Sequence, residues 1–302
     1  MSAHSSSKAI YSALAANTGI AISKFVVAVI TTSSTMMAEA VHSSADCFNQ
    51  VLLLIGKKRS AKEADENHSF GYGKENFFWS VIVAVVLFAL GSVFSIVEGI
   101  HKTMHPEAVK NAIWIFGLLI VAAGLEAGAF WTALKEFRKT NKGTFLKALQ
   151  RSTDTDLIVI LIEDSGAMLG LSIAFVFTAM AVFINPIFDG IGSVVVGTLL
   201  GYMSYFLANE LRKLIIGENI SREIRNHIKS MIKEWDVVDH INNIRAMYVG
   251  NNKFLLNLSI DVNDDTRAGD IESIIFDMKN YIRKEYPDAE YINIEIAKAQ
   301  EA

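Results

Sequence analysis

Residues 36–47 read Met-Met-Ala-Glu-Ala-Val-His-Ser-Ser-Ala-Asp-Cys, MMAEAVHSSADC, and VLLLIG follows at 51–56. The stretch lies in an apolar region yet places His42 and Asp46 four residues apart. On a helix that spacing sets both side chains on one face, one turn apart. An ionisable group at bilayer depth costs roughly 2.5–3.5 kcal/mol on the insertion scale, so such a residue asks for a function. The first question is whether the surroundings are membrane at all.

The totals answer it. The chain has 302 residues, is 51% hydrophobic and has a mean hydropathy of +0.31. That is too oily for an ordinary soluble domain and too polar for membrane throughout, so a membrane part and a soluble part are expected. A net charge of −4 argues against a nucleic-acid partner. The single cysteine, Cys47, excludes an intrachain disulfide and a Cys-rich zinc site. The start, MSAHSSSKAIYSALAANTG, lacks the features of a cleaved signal peptide and the arginines of a transit peptide.

A helical span takes about 20 residues. Six stretches qualify, near 9–32, 35–56, 76–100, 112–134, 156–183 and 187–211. Lys and Arg gather after the second stretch, in KKRSAKEADENHSFGYGKEN, and after the fourth, at Lys135, Arg138, Lys139, Lys142, Lys147 and Arg151. Positive loops stay in the cytoplasm, so both termini are expected there. The expected location is a prokaryotic cytoplasmic membrane, crossed several times.

Past about residue 212 the periodicity changes. Ile224, Ile228, Met231, Ile232 and Trp235 recur at helical spacing. Phe254, Leu256, Leu258, Ile260 and Val262 alternate as in a half-buried strand, and Gly250-Asn251-Asn252 reads as a turn from a strand near 242–249. Ile271, Ile274, Ile275, Met278 and Ile282 predict a second helix, and Ile292, Ile294 and Ile296 a third strand. The order α-β-β-α-β predicts a ferredoxin-like α+β domain over 213–302, behind a six-span α-helical membrane domain over 1–212.

His42 and Asp46 make half of a tetrahedral metal site. Imidazole suits first-row transition metals, and an added carboxylate suits zinc or manganese. The fifth stretch offers Glu163 and Asp164 in LIVILIEDSGAMLG. Neighbours on a helix point about 100° apart, so one of the two faces the pair squarely. Asp164 is the expected direct ligand, with Glu163 a fourth ligand or an orienting group. Alone, His-x-x-x-Asp is equally an interhelical hydrogen-bond pair. The second acidic pair turns the reading toward an ion pathway. Lys24 reads as a snorkelling or ion-paired residue, Glu126 as packing or proton handling, and Asn17, Asn49 and Gln50 as interhelical hydrogen-bonders, with Asn49 close enough to Asp46 to contribute.

With these residues in place the chain resembles the cation diffusion facilitator family. The matches are AEAVHSSAD, HSFGYGKEN, FDGIGSVVVG and LRKLIIGEN, and they extend over nearly the whole length. IED in the fifth stretch is similar to the zinc transporter nine subgroup. The resemblance implies a central transport site at His42, Asp46 and Asp164. Its fourth ligand would fall on Ile160, which binds no metal, and this raises the weight on Glu163 or water. The family's second site maps onto Asp65, His68 and Tyr72. Tyr72 stands where a histidine is usual, so a loop-structuring role for His68 is favoured. His227 and His240 read as surface residues, and Leu258 and Ile294 stand where zinc-binding members have ligands. The soluble domain is therefore expected to serve dimerisation.

The expected function is a homodimeric divalent-cation transporter in the lipid bilayer, exporting zinc in exchange for protons, with no catalytic cofactor. Carboxylates and imidazole in a low-dielectric site hold protons when no metal is present, and metal binding releases them. Manganese, iron or cobalt are the alternative cargoes. A membrane metal sensor and a structural membrane protein are the alternative classes. No nucleophile–base arrangement or phosphate loop suggests an enzyme.

Overall fold

The computed structural model describes residues 3–140, 144, 145, 148, 149, 152 and 155–299; in 3–16 and at Thr140 it describes the backbone alone. Lys142, Lys147 and Arg151 of the basic loop lie outside the described residues. Long helices come first: α1 (Ala3–Thr31), α2 (Ser34–Ser60), α3 (Glu75–Val86) running through a π-helical turn (Leu87–Val93) into α4 (Phe94–Met104), α5 (Ala112–Thr140), α6 (Thr155–Phe183) and α7 (Ile187–Ile216). A smaller set follows: α8 (Arg222–Lys233), β1 (Val238–Gly250), β2 (Lys253–Val262), α9 (Ala268–Glu285) and β3 (Ala289–Ile296).

Among the described residues, four helices are long and apolar enough to cross a membrane: Glu75–Met104, Ala112–Lys139, Thr155–Phe183 and Ile187–Ile216. In α1 the apolar stretch is shorter, Asn17–Thr31. In α2 the buried Glu39 and His42, with Asp46, interrupt the apolar run. Several helices outrun the hydrophobic stretches that predict them, as α2 does through Lys57-Lys58-Arg59. Lys and Arg are good helix formers, so hydropathy ends before the helix does. On α5, Trp114 and Trp131 are 64% and 69% exposed. Seventeen positions separate them, about 26 Å at 1.5 Å per residue. That is near a bilayer's apolar thickness, with an aromatic ring at each end.

The chain divides into two compact units, one of residues up to Lys57 with Phe78–Leu211, the other of Lys58–Phe77 with Arg212 onward. In the first, two apolar clusters are packed. One joins Leu52 and Leu53 of α2, Val83 and Ala84 of α3, and Ile158, Leu161 and Ile162 of α6 to Leu207 and Leu211 of α7. The other joins Ala28 of α1 and Met36 of α2 to Ile115 and Leu119 of α5 and Leu171 and Ala174 of α6. The α3–α4 helix meets α7 through small residues. A Cβ on Gly99 would lie 2.7 Å from the Gly190 carbonyl, and one on Gly197 2.9 Å from the Ile96 nitrogen. Ser193 Oγ donates to the Ser95 carbonyl at 2.8 Å and Ser204 Oγ to the Ala84 carbonyl at 2.6 Å. Close backbone approach through small residues is how helices associate where lipid supplies no hydrophobic drive.

In the second unit β1 and β2 form an antiparallel hairpin, and β3 joins β2 in parallel after α9, giving the order β1-β2-β3. Asn252, at φ 56°, makes the hairpin turn. Leu256, Leu258, Ile260 and Ile292 of the sheet bury against Ile228, Met231 and Ile232 of α8 and Met278 and Ile282 of α9. Lys58–Phe77 belongs to this unit: Phe77 is in its core, Phe70 stacks edge-on with Tyr291 at 5.1 Å, and a Cβ on Gly73 would meet Gly250 Cα at 3.0 Å. Nothing in the loop's periodicity announces that docking.

Candidate metal-transport site

A band of buried polar side chains lies between the two apolar clusters of the helical unit. It begins on α2, where Glu39, His42 and Asn49 are buried and Asp46 is 17% exposed at its side chain. His42 Nδ1 stands 3.6 Å from Asp46 Oδ1, the one-turn pairing that the spacing predicts. Neither His42 nitrogen has a hydrogen-bond partner, nor has Asp46 Oδ1. Buried polar atoms of a folded protein are nearly all bonded, so orphans at one depth mark a place for something else.

α6 supplies the opposing wall. Asn49 Nδ2 donates to Glu163 Oε1 at 2.6 Å, tying α2 to α6 one turn beyond Asp46. Glu163 is buried, while Asp164, about 100° round the helix, is half-buried with Oδ2 unpartnered. The hydrogen bond to α2 is thus made by Glu163. Helical phase agrees: Gly170 lies seven positions after Glu163, on its face, and a Cβ there would meet Glu39 Oε1 of α2 at 2.6 Å. Asp46, Glu126 of α5, Glu163 and Asp164 lie within one another's electrostatic reach. Among the described residues, no three His, Cys, Asp or Glu side chains converge at metal-binding distance. His42, Asp46, Glu163 and Asp164 share one band without forming a closed ligand sphere.

Two further charged groups have partners that the sequence did not name. Lys24 of α1 is fully buried, with Nζ 3.2 Å from Glu39 Oε2 and 2.7 Å from Ser43 Oγ. Lys24 is ion-paired and does not snorkel. The available signal was Glu39, three residues before His42. The other is Asp189, in the first turn of α7. Its carboxylate accepts from Ser33 Oγ at 2.5 Å, from the Ser34 backbone N–H at 2.6 Å and from the Thr35 N–H at 3.3 Å. It satisfies orphan donors at the start of α2 and faces the positive end of that helix. Only the motif FDGIGSVVVG pointed to it.

In the loop at Asp65, His68 and Tyr72 the first two are exposed and Tyr72 is half-buried, and both Asp65 carboxylate oxygens are engaged. Asp65 accepts from the His68 N–H at 2.8 Å, the Asn67 N–H at 3.0 Å and the Tyr72 hydroxyl at 2.7 Å. The Tyr72 hydroxyl, then the backbone N–H of His68, holds the Asp65 carboxyl below its ordinary value, and the same bond holds the Tyr72 phenol above its own. His68 lies against the Tyr72 ring at 4.1 Å. This is the geometry of a structured turn. His227, also exposed, meets the Tyr286 hydroxyl at 2.6 Å through Nδ1, and His240 is exposed.

Residues 10–216 match the model of the cation efflux transmembrane domain. The chain belongs to the cation diffusion facilitator family. Its relatives include the mitochondrial proton-coupled zinc antiporter SLC30A9 of Xenopus laevis, 30% identical over 237 residues that cover 77% of this chain and 42% of the relative. Metal tolerance protein C4 of Arabidopsis thaliana is 33% identical over 266 residues, 85% of this chain and 57% of the relative. The manganese efflux system protein MneP of Bacillus subtilis is 24% identical over 284 residues, 94% of this chain and 93% of the relative. The chain spans less than half the length of the zinc antiporters it matches. Within the family it is zinc transporter nine-like, as its IED in α6 suggests. The family is one of metal transporters, not enzymes, and its helical membrane domain and small C-terminal sheet region are both present here.

Proposed function

We propose that this cation diffusion facilitator moves zinc out of the cytoplasm in exchange for protons, by alternating exposure of one site to the two sides of the membrane. His42, Asp46 and Asp164 bind the ion, and Glu163 is a fourth ligand or the group that orients the others. The observation that carries the reading is the set of buried atoms without partners, both His42 nitrogens, Asp46 Oδ1 and Asp164 Oδ2, on two adjacent helices. Metal binding needs deprotonated ligands, so each ion taken up releases protons. Imidazole at His42 favours zinc over manganese because it is the softer ligand.

The six long helices serve as six spans, with both termini cytoplasmic by the distribution of Lys and Arg. The sheet and its two helices are read as a ferredoxin-like domain over 213–302 that holds a homodimer together. A prokaryotic cytoplasmic membrane is the proposed setting. MneP, alike over nearly its whole length, favours manganese as the second reading of the cargo.

The test is metal-resolved uptake into proteoliposomes under an imposed pH gradient. Zinc should enter faster than manganese, and only while the gradient persists. Asp46→Ala and Asp164→Ala should each abolish uptake while leaving a folded protein, because they remove charged ligands and no large apolar contact. Wild-type zinc flux in either variant sinks the site assignment. Preference for manganese in the wild-type protein moves the reading to the second cargo.

A further inference from the structure

The transport site leaves two charged groups of the polar band unused, Lys24 and Glu39. Both side chains are fully buried, and the ammonium lies 3.2 Å from Glu39 Oε2. A buried ion pair is poor evidence of stabilisation: taking two charges out of water costs several kcal/mol per ion, and apolar replacements are often as stable. Its presence in an apolar helix pair asks for another reason.

Resting on the proposed central site, we infer that the Lys24–Glu39 pair is a positioning device that sets the rotation of α2 and so aims His42 and Asp46 at α6. Glu39, His42, Ser43 and Asp46 stand at offsets of 0, 3, 4 and 7 and share one face of α2. Lys24 grips two members of that face, Glu39 at 3.2 Å and Ser43 at 2.7 Å. A turn of α2 by one residue, about 100°, would break both contacts.

The other Glu39 oxygen faces α6. A Cβ added to Gly170 would lie 2.6 Å from Glu39 Oε1. Oε1 has no hydrogen-bond partner, so the notch at Gly170 receives it by shape. Besides the apolar packing, two polar side chains of α2 therefore meet α6: Glu39 against Gly170, and Asn49 on Glu163 at 2.6 Å. His42 and Asp46 lie between them in sequence and on the same side of the helix. Lys24 presses this face from α1, and Gly170 admits it from α6. The pair hydrogen-bonds to neither His42 nor Asp46 but lies within electrostatic reach of both, so exchanging the two charges, which keeps the tether and reverses the field, separates placement from field.

The experiment uses the full chain, purified in detergent, with zinc titrated by calorimetry and the fold followed by thermal unfolding. Removing the pair in Lys24→Met with Glu39→Leu is expected to leave the unfolding temperature within a few degrees of wild type. Zinc affinity should weaken by about 10–100-fold, the usual consequence of losing a group that orients a ligand. Swapping the charges, in Lys24→Glu with Glu39→Lys, should recover most of that affinity, because a tether between the same two helices is restored. Wild-type affinity in the pair-removed protein overturns the inference. Should that variant not fold, Gly170→Ala decides: it keeps both charges and displaces the Glu39 carboxylate. A weakening of tenfold or more supports positioning, and unchanged affinity overturns it. Asp46→Ala is titrated alongside. Wild-type affinity there means that the central site itself is misassigned. Loss there, with none on removing the pair, defeats this inference alone.

Discussion

Asp189→Ala should loosen the membrane unit more than any single deletion of a surface charge. In the native protein the Asp189 carboxylate, fully buried, accepts from Ser33 Oγ at 2.5 Å, Ser34 N at 2.6 Å, Ser34 Oγ at 3.2 Å and Thr35 N at 3.3 Å. Alanine leaves the two backbone donors buried without an acceptor, and the hydroxyls can turn to other partners only in part. A hydrogen bond to a charged group contributes about 1.5–3 kcal/mol, and each donor left unsatisfied costs about 1–3 kcal/mol. The lost charge at a helix N-terminus adds up to about 2 kcal/mol. These terms overlap, so the net loss is set at about 3–5 kcal/mol. Asp189→Asn keeps one acceptor oxygen and should lose about half as much. The assay is unfolding in detergent followed by tryptophan fluorescence, where that range corresponds to a drop of roughly 6–20 °C for a unit of this size. A double-mutant cycle with Ser33→Ala isolates the cross-helix bond, with an expected coupling of about 1–2 kcal/mol. Stability equal to wild type in Asp189→Ala would show that water or the chain's own turn satisfies the start of α2, and that α7 does not hold it.

Glu163→Gln should weaken zinc binding in a graded way and alter its pH dependence, yet do less damage than Asp164→Asn. Equal and complete loss in calorimetric titrations across pH would make Glu163 a direct ligand. Asn49→Ala, which removes the 2.6 Å bond to Glu163, should resemble Glu163→Gln in affinity, and wild-type binding would show that the bond orients nothing. His68→Ala and Tyr72→Phe should retain most transport in proteoliposomes, and near-complete loss in a well-expressed His68→Ala would make the loop part of the metal's route. The Asp65 carboxyl, held below its ordinary value of 3.8, supports the loop wherever it is ionised. That support is present above its unfolded value and lost as pH falls through the lowered folded one. Hydrogen exchange of residues 66–72 should therefore rise only on acidification below about pH 4, and Asp65→Asn should remove that pH dependence.

Sequence by itself determined the membrane character of α3–α7, because a long apolar run has few folded alternatives. It also determined the helix-and-strand order of the C-terminal region, where periods of 3.6 and 2 alternate cleanly. The His42–Asp46 pairing was legible for the same reason: four residues on a helix bring two side chains together with no help from the rest of the chain. Tertiary structure decided everything that depends on the phase of one helix against another. Composition cannot distinguish Glu163 from Asp164, adjacent and alike. The face that carries Gly170, against Glu39 of α2, turns Glu163 toward Asn49 and leaves Asp164 about 100° away. Lys24 looked equally able to reach the membrane surface or pair inside, and only the packing of α1 on α2 placed Glu39 and Ser43 within its reach. Asp189 lies 155 residues from Ser34, and no local rule connects a carboxylate in one helix's first turn to the bare N–H groups of another. Local physics acts over one or two turns, whereas these contacts exist only once the helices have chosen their neighbours.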